Sequence, residues 1–575
     1  MRSCPSPLTK AILVRAAPAL TFAIGCQSVL GLDDVTFTSE GCAGAAGCGA
    51  EDGGAANGDI GGGAAGTHNE TPPPSMGEAG AGGLPSCEPL GPDLLEVRRA
   101  EDCMGYASRA CSFEEWRAGA VELELEGSSG VRYLVDGDML LADTEALSTY
   151  YHAVVRGLRP QAVVPIPATE WNEIRYCVPD GVEFELIREA AYGAAAAWEQ
   201  ALAVRFVADG SGCRVELGPT SAPIATAVEP ARADEPTRIW IGNAALEFDV
   251  RPDLPSRIRH AFGHVLGLAH HRDAPLACSD AGCIPASLLD RSWCAASLDA
   301  GLFPTELDVA AARRGYGALA LAVHDGALFA TQRVSADLFR SADEGQSWTR
   351  VADRTLDAVA AAGQLLRLTA QGRVERFTGG GNWEEVGIRA SRLFGCADTV
   401  CLVHEDDGGA SVLRDGEWVT IGETARRYDA TANDFVRITL DGHVELYDGA
   451  WHALGESENA GQLFAGVSSV FATRRAASGA RIEELQRWDA RADRWRRVAE
   501  RGAFVVHGDG LVRVDPASGL AWLDGDATDE NGFVPEFIGH RGLGVVSSAG
   551  RLFRVDLDGS IFEYGEREWL ARGRP

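Results

Sequence analysis

The chain has 575 residues, 46% of them hydrophobic, with a mean hydropathy of −0.07. That is enough for three or four domains with separate cores, and it lacks a membrane-spanning composition. A net charge of −31 at pH 7 argues against nucleic acid as a partner. Lys10 is the only lysine, so Schiff-base, P-loop and Ser-Lys chemistry have no lysine to use once the N-terminus is removed.

The chain opens with an export signal. Arg2, Lys10 and Arg15 flank a short apolar stretch ending Ala23-Ile24-Gly25-Cys26. Small residues before a cysteine resemble a bacterial lipobox, with Ala23 where leucine is usual. The resemblance implies cleavage after residue 25 and lipidation of Cys26, hence an exported protein anchored at the cell envelope or surface by lipid alone. An ordinary cleaved signal peptide is the alternative. Twelve cysteines remain after Cys4 and Cys26 are set aside. The close pairs Cys42/Cys48, Cys103/Cys111, Cys278/Cys283 and Cys396/Cys401 suit disulfides in an oxidising compartment.

Residues 26–86 are rich in Gly, Ala and Pro, including Gly61-Gly62-Gly63 and Pro72-Pro73-Pro74, and read as a tether with too little apolar surface to order itself. Residues 87–160 form a small N-terminal, pro-segment-like region. Cys103 to Ala118 has helical character. Val131–Val135 is strand-like before a turn at Asp136-Gly137-Asp138. Cys103 or Cys111 could cap a downstream metal, but disulfide use fits them better.

Residues 161–317 give an ordered series. Ile174–Val178 is a short strand, and Val182–Ala203 carries apolar residues at helical spacing. Strands follow at Val204–Val207 and Arg238–Ile241, then a histidine-bearing helix from about Ser256. Thr305-Glu306-Leu307-Asp308 reads as a capping box opening a helix that ends at Gly315-Tyr316-Gly317.

Residues 260–270 read H-A-F-G-H-V-L-G-L-A-H. His260 and His264, four apart, project from one helix face. Gly267 stands where a sharp bend needs positive φ, and His270 returns as a third nitrogen donor. Three neutral imidazoles with one open position suit a hydrolytic Zn²⁺. The competing reading is a set of core histidines that satisfy one another's hydrogen bonds.

The pattern resembles the metzincin signature H-E-x-x-H-x-x-G-x-x-H, and the element order resembles a matrixin-like catalytic domain. The resemblance covers residues 161–317. It implies an α+β zinc-metallopeptidase fold with His260, His264 and His270 as ligands. Ala261 stands where the family carries its catalytic glutamate. Losing a general base costs about 10²–10⁴ in rate, so no catalytic residue is assigned and a zinc-binding but catalytically impaired domain is expected. No methionine follows Met139, so Ile284-Pro285 is placed at the turn beneath the metal. A working peptidase with another base (Glu247, Asp253 or Asp273) and a metal-free scaffold are the alternatives. His271 is read as an exposed neighbour, and the Arg238–Ile241 strand as an edge open to an extended peptide.

Residues 318–575 repeat. Trp348, Trp383, Trp418, Trp451, Trp495 and Trp569 recur every 33–44 residues, apart from one double gap that Phe533 can fill. Ser341–Trp348 matches the Asp-box, S-x-D-x-G-x-[ST]-W. It resembles the turns of β-propeller blades and implies an all-β propeller of about seven blades whose Asp343 is structural. Its ligand is open, with a peptide or protein the expected class.

Overall fold

The computed structural model describes residues 113–575 apart from internal stretches, the longest being 153–172, 290–302 and 524–535. The signal, Cys26, the tether, Cys103, Cys111, Glu247, Asp253, His271, Asp273 and Phe533 lie outside the described residues. Among the described residues no helix is long and apolar enough to cross a membrane. Strands dominate, most of them in antiparallel sheets.

The first part is a mixed sheet with helices. Its elements are α1 (Phe113–Ala118), β1 (Val121–Glu124), β2 (Val131–Val135), β3 (Met139–Leu141), α2 (Thr144–Tyr150), β4 (Glu173–Cys177), α3 (Glu185–Glu199) and β5 (Arg205–Ala208). There follow β6 (Val215–Thr220), β7 (Thr226–Glu229), β8 (Thr237–Gly242), α4 (Asn243–Leu246), α5 (Leu254–Val265), β9 (Leu276–Ser279), β10 (Gly282–Pro285) and α6 (Glu306–Tyr316).

Eight strands make one sheet in the order β1-β2-β3-β7-β8-β6-β4-β5. The division expected at residue 160 therefore does not interrupt the sheet. β3 runs parallel to β7, with Met139 opposite Val228. Arg132 on β2 forms a buried ion pair with Glu229 on β7, whose other oxygen accepts from Trp240 Nε1 at 3.0 Å. β8 is flanked on both sides, by β7 and β6. The edge expected at Arg238–Ile241 is thus occupied, because the β1–β3 meander supplies the strands beyond β7.

Against this sheet lie α3 and α5. α3 turns Ala190, Ala191, Ala194 and Trp198 inward, small residues that let the helices approach closely. Trp198 Nε1 donates to the Arg259 carbonyl at 2.9 Å. A Cβ on Gly263 would meet Leu289 Cδ2 at 2.8 Å and Trp198 Cζ2 at 3.1 Å, so this crossing needs glycine. Cys177 and Cys213 form a disulfide that the spacing argument did not pair. Ile284 and Pro285 lie in β10, a strand paired with β9 rather than a turn; β9 and β10 place Cys278 opposite Cys283 in register.

Residues 321–571 form seven four-stranded antiparallel units, here blades 1 to 7: 321–352, 355–389, 390–422, 427–453, 463–500, 503–539 and 544–571. Their first strands touch in a closed ring, the last meeting the first. This is the arrangement of a β-propeller. Four of the six periodic tryptophans tie neighbouring blades together. Trp383, Trp451 and Trp569 each donate Nε1 to a carbonyl of the preceding blade, at Val351, Ile421 and Ile538, and Trp495 to that of Leu454, just past the end of blade 4 (2.6–3.0 Å). An arginine stacks on each of these rings: Arg367, Arg437, Arg474 and Arg554 lie 4.3–5.3 Å from the ring centroids. Closure rests on side chains. Val323 N donates to Ser548 Oγ at 3.2 Å, and Arg572 reaches Glu344 at 2.8 Å.

The Asp-box is a turn. Asp343 accepts from Ser341 Oγ (2.7 Å), Ser347 N (2.9 Å) and Ser347 Oγ (2.6 Å), bonds that draw its carboxyl down to about 2. Gly345 has φ +93°, and a Cβ there would strike the Arg572 carbonyl. Cys396 and Cys401 form the expected disulfide.

α6 joins the two parts. Thr305 N donates to Asp308 Oδ2 at 2.8 Å and Asp308 N to Thr305 Oγ1 at 3.5 Å, the reciprocal pattern of a capping box with aspartate closing it. Glu306 is left to pair with Arg392 of blade 3 (2.7 Å) and Arg427 of blade 4 (3.5 Å).

Candidate metal centre

His260 and His264 lie on α5, one turn apart on the face that meets the β2–β3 turn. The helix ends in a Schellman motif. Gly267 has φ +77°, its N–H donates to the His264 carbonyl (2.8 Å), and Leu268 N–H donates to the Gly263 carbonyl (3.1 Å). This reversal carries His270 back to the other two. It also aims the Leu268 carbonyl at His264 Nδ1, 2.8 Å away. A carbonyl only accepts, so Nδ1 carries the proton and Nε2 presents a lone pair to the centre.

The three Nε2 atoms converge. His264 Nε2 is 2.9 Å from His260 Nε2, which is 3.2 Å from His270 Nε2. A fourth group completes the cluster. Asp138 Oδ2 lies 2.7 Å from His260 Nε2 and 3.3 Å from His264 Nε2, and Oδ1 lies 3.3 Å from His270 Nε2. All four donor atoms fall within 4.8 Å of one another, and the histidines are buried. Asp138 is held by its backbone, whose carbonyl accepts from Val228 N at 2.7 Å.

Burial pushes the His260 imidazole down to about 4, against the pull of Asp138, so it is neutral at pH 7. Burial alone would raise the Asp138 carboxyl; the imidazoles around it, His270 foremost, hold it well below its ordinary value. A carboxylate, the His264 Nε2 lone pair and the Nε2 atoms of His260 and His270 are thus crowded at 2.7–3.3 Å in a buried space, an arrangement that shared protons or a cation reconcile. A tetrahedral zinc site with bonds of about 2.0–2.1 Å has ligand–ligand edges of about 3.3–3.4 Å. The donor set suits such an ion, and three separations of 3.2–3.3 Å match its edges, while the 2.7 and 2.9 Å separations to His260 Nε2 are shorter.

Sequence reasoning placed the three histidines together but missed Asp138, read only as part of a turn. It is 122 residues from His260, and no spacing rule links them. Ala261 is buried in the main apolar cluster, so its position offers no proton acceptor.

No protein-family model matches this chain, and no curated protein matches it. Solved structures resemble part of it. YCF48 bound to D1 peptide is 14% identical over 36% of this chain and 75% of that one, with a TM-score of 0.27. A chain from the Mitotic Checkpoint Complex is 9% identical over 44% and 85%, at 0.31. The computationally designed Ika8 protein is 15% identical over 44% and 86%, at 0.32.

Proposed function

We propose that residues 121–316 hold one Zn²⁺ through His260, His264, His270 and Asp138, in a closed site that does not hydrolyse peptides. The observation that supports it is the convergence of three imidazole nitrogens and one carboxylate, all four donor atoms within 4.8 Å of one another. Four protein ligands are the mark of a structural zinc, whereas catalytic sites keep a position for water. In this reading the matrixin-like domain has lost its chemistry twice, at Ala261 and through Asp138. The ion would tie α5 to the β2–β3 turn and add to the stability of the fold. The propeller would then carry the function, as a module for a protein or peptide ligand on an exported lipoprotein anchored through Cys26.

Metal analysis of the full chain, purified without chelator, tests this. One zinc per chain is expected in the wild type and weaker retention in Asp138→Ala. Less than half an equivalent in the wild type would mean a metal-free cluster. Casein cleavage is expected only from the Asp138→Ala/Ala261→Glu double variant, which restores both the open position and the base. Chelator-sensitive cleavage by the wild type would refute the closed site.

A further inference from the structure

The first strands of blades 2 to 7, the C-terminal end of α3 and Arg313 of α6 line a half-open cavity of about 370 Å³. That size is within the range of small-molecule sites. One side carries Arg313, Arg392 and Arg427 with Asp357 and Asp429. The other is apolar, formed by Phe464, Val506, Leu543 and Val546.

Most of the charges are spoken for. Asp429 accepts from Ala465 N (2.9 Å) and Ala430 N (3.0 Å), locking blade 4 to blade 5. Asp357 accepts from Leu393 N (3.2 Å) and Arg313 Nη1 (3.3 Å), locking blade 2 to blade 3 and to α6. Arg392 Nη1 donates to Glu306 Oε1 and to the Tyr428 carbonyl, both at 2.7 Å. Arg427 differs. Among the described residues its guanidinium makes no hydrogen bond, and its ion pair is a 3.5 Å approach to the same Glu306 oxygen that Arg392 already holds. Burial, reinforced by Arg392, draws it down to about 10, as expected of an under-neutralised cation.

We propose that this cavity binds a small amphipathic carboxylate, with its head on Arg427 and its tail along the Phe464–Val506–Val546 wall. A guanidinium fork matches a carboxylate edge, and a partly buried cation lining a cavity is the group such a ligand satisfies. A single negative charge fits, because Glu199, Asp357 and Asp429 also line the space and would oppose a dianion. The site does not depend on the metal centre.

Calorimetric titration of the full chain with octanoate, octanol and octyl phosphate tests it. Saturable binding of octanoate is expected, with the other two at least tenfold weaker. Arg427→Gln should weaken octanoate about 10- to 100-fold, the range for a hydrogen bond to a charged group. Val546→Trp, which fills the apolar side and keeps Arg427, should abolish binding. Near-ultraviolet circular dichroism checks that each variant is folded; if Arg427→Gln is not, the Val546→Trp result decides. Absence of saturable octanoate binding, equal binding of octanol or octyl phosphate, or undiminished binding by a folded variant would overturn the proposal.

Discussion

Replacing Arg132 by Met tests whether the β2–β3 hairpin is built into the sheet or merely rests on it. The Arg132 and Glu229 side chains are 2% and 5% exposed, and their ion pair spans β2 and β7. Methionine has similar volume but no charge. The Glu229 carboxylate would stay buried with the Trp240 indole N–H as its remaining donor among the described bonds. Removing one partner of a buried pair costs about 3–5 kcal/mol, roughly two to four decades in an opening equilibrium. The Arg132→Met/Glu229→Gln double variant removes the stranded charge and keeps an acceptor for Trp240. It should recover to within about 1 kcal/mol of the wild type. Hydrogen exchange of peptides spanning 131–141 reads this locally, with propeller peptides as the internal standard. Exchange less than about fivefold faster in the single variant, a change of about 1 kcal/mol, would refute the reasoning. So would a double variant exchanging as fast as the single.

Two further outcomes follow from packing and charge. Gly263→Ala should destabilise the metal-bearing part by about 1–3 kcal/mol despite alanine's better helix propensity, since the new methyl meets Leu289 and Trp198 at 2.8 and 3.1 Å; thermal unfolding with zinc analysis measures it. Burial alone would raise the Glu306 carboxyl, but Arg392, Arg427 and Arg313 hold it below its ordinary 4.5. A depressed folded value means its contribution is complete above the unfolded value and is lost as pH falls through the folded one. Glu306→Gln should therefore be less stable than wild type at pH 7 by about 3–5 kcal/mol, with the gap narrowing below about pH 4; a constant gap across that range in denaturant titrations would refute the assignment.

Short-range features were legible in the residues. Four-residue spacing of His260 and His264 and the bend at Gly267 are properties of a single helix and its end, so sequence fixes their geometry. The tryptophan period follows from blades that repeat the same meander. The Asp343 turn closes on itself within seven residues. Capping by Thr305 and Asp308 is equally local.

Tertiary structure decided the rest, because sheet order is a long-range pairing that no periodicity encodes. It brought Asp138 to the histidines across 122 positions, and buried Arg238–Ile241 between β7 and β6 where an open edge was expected. It also set Glu306, read only as an intervening residue of the capping box, against two arginines of the propeller. A chain can specify which side chains a helix presents, but what faces them depends on which strands pair, and that is settled by burial summed over the whole sheet.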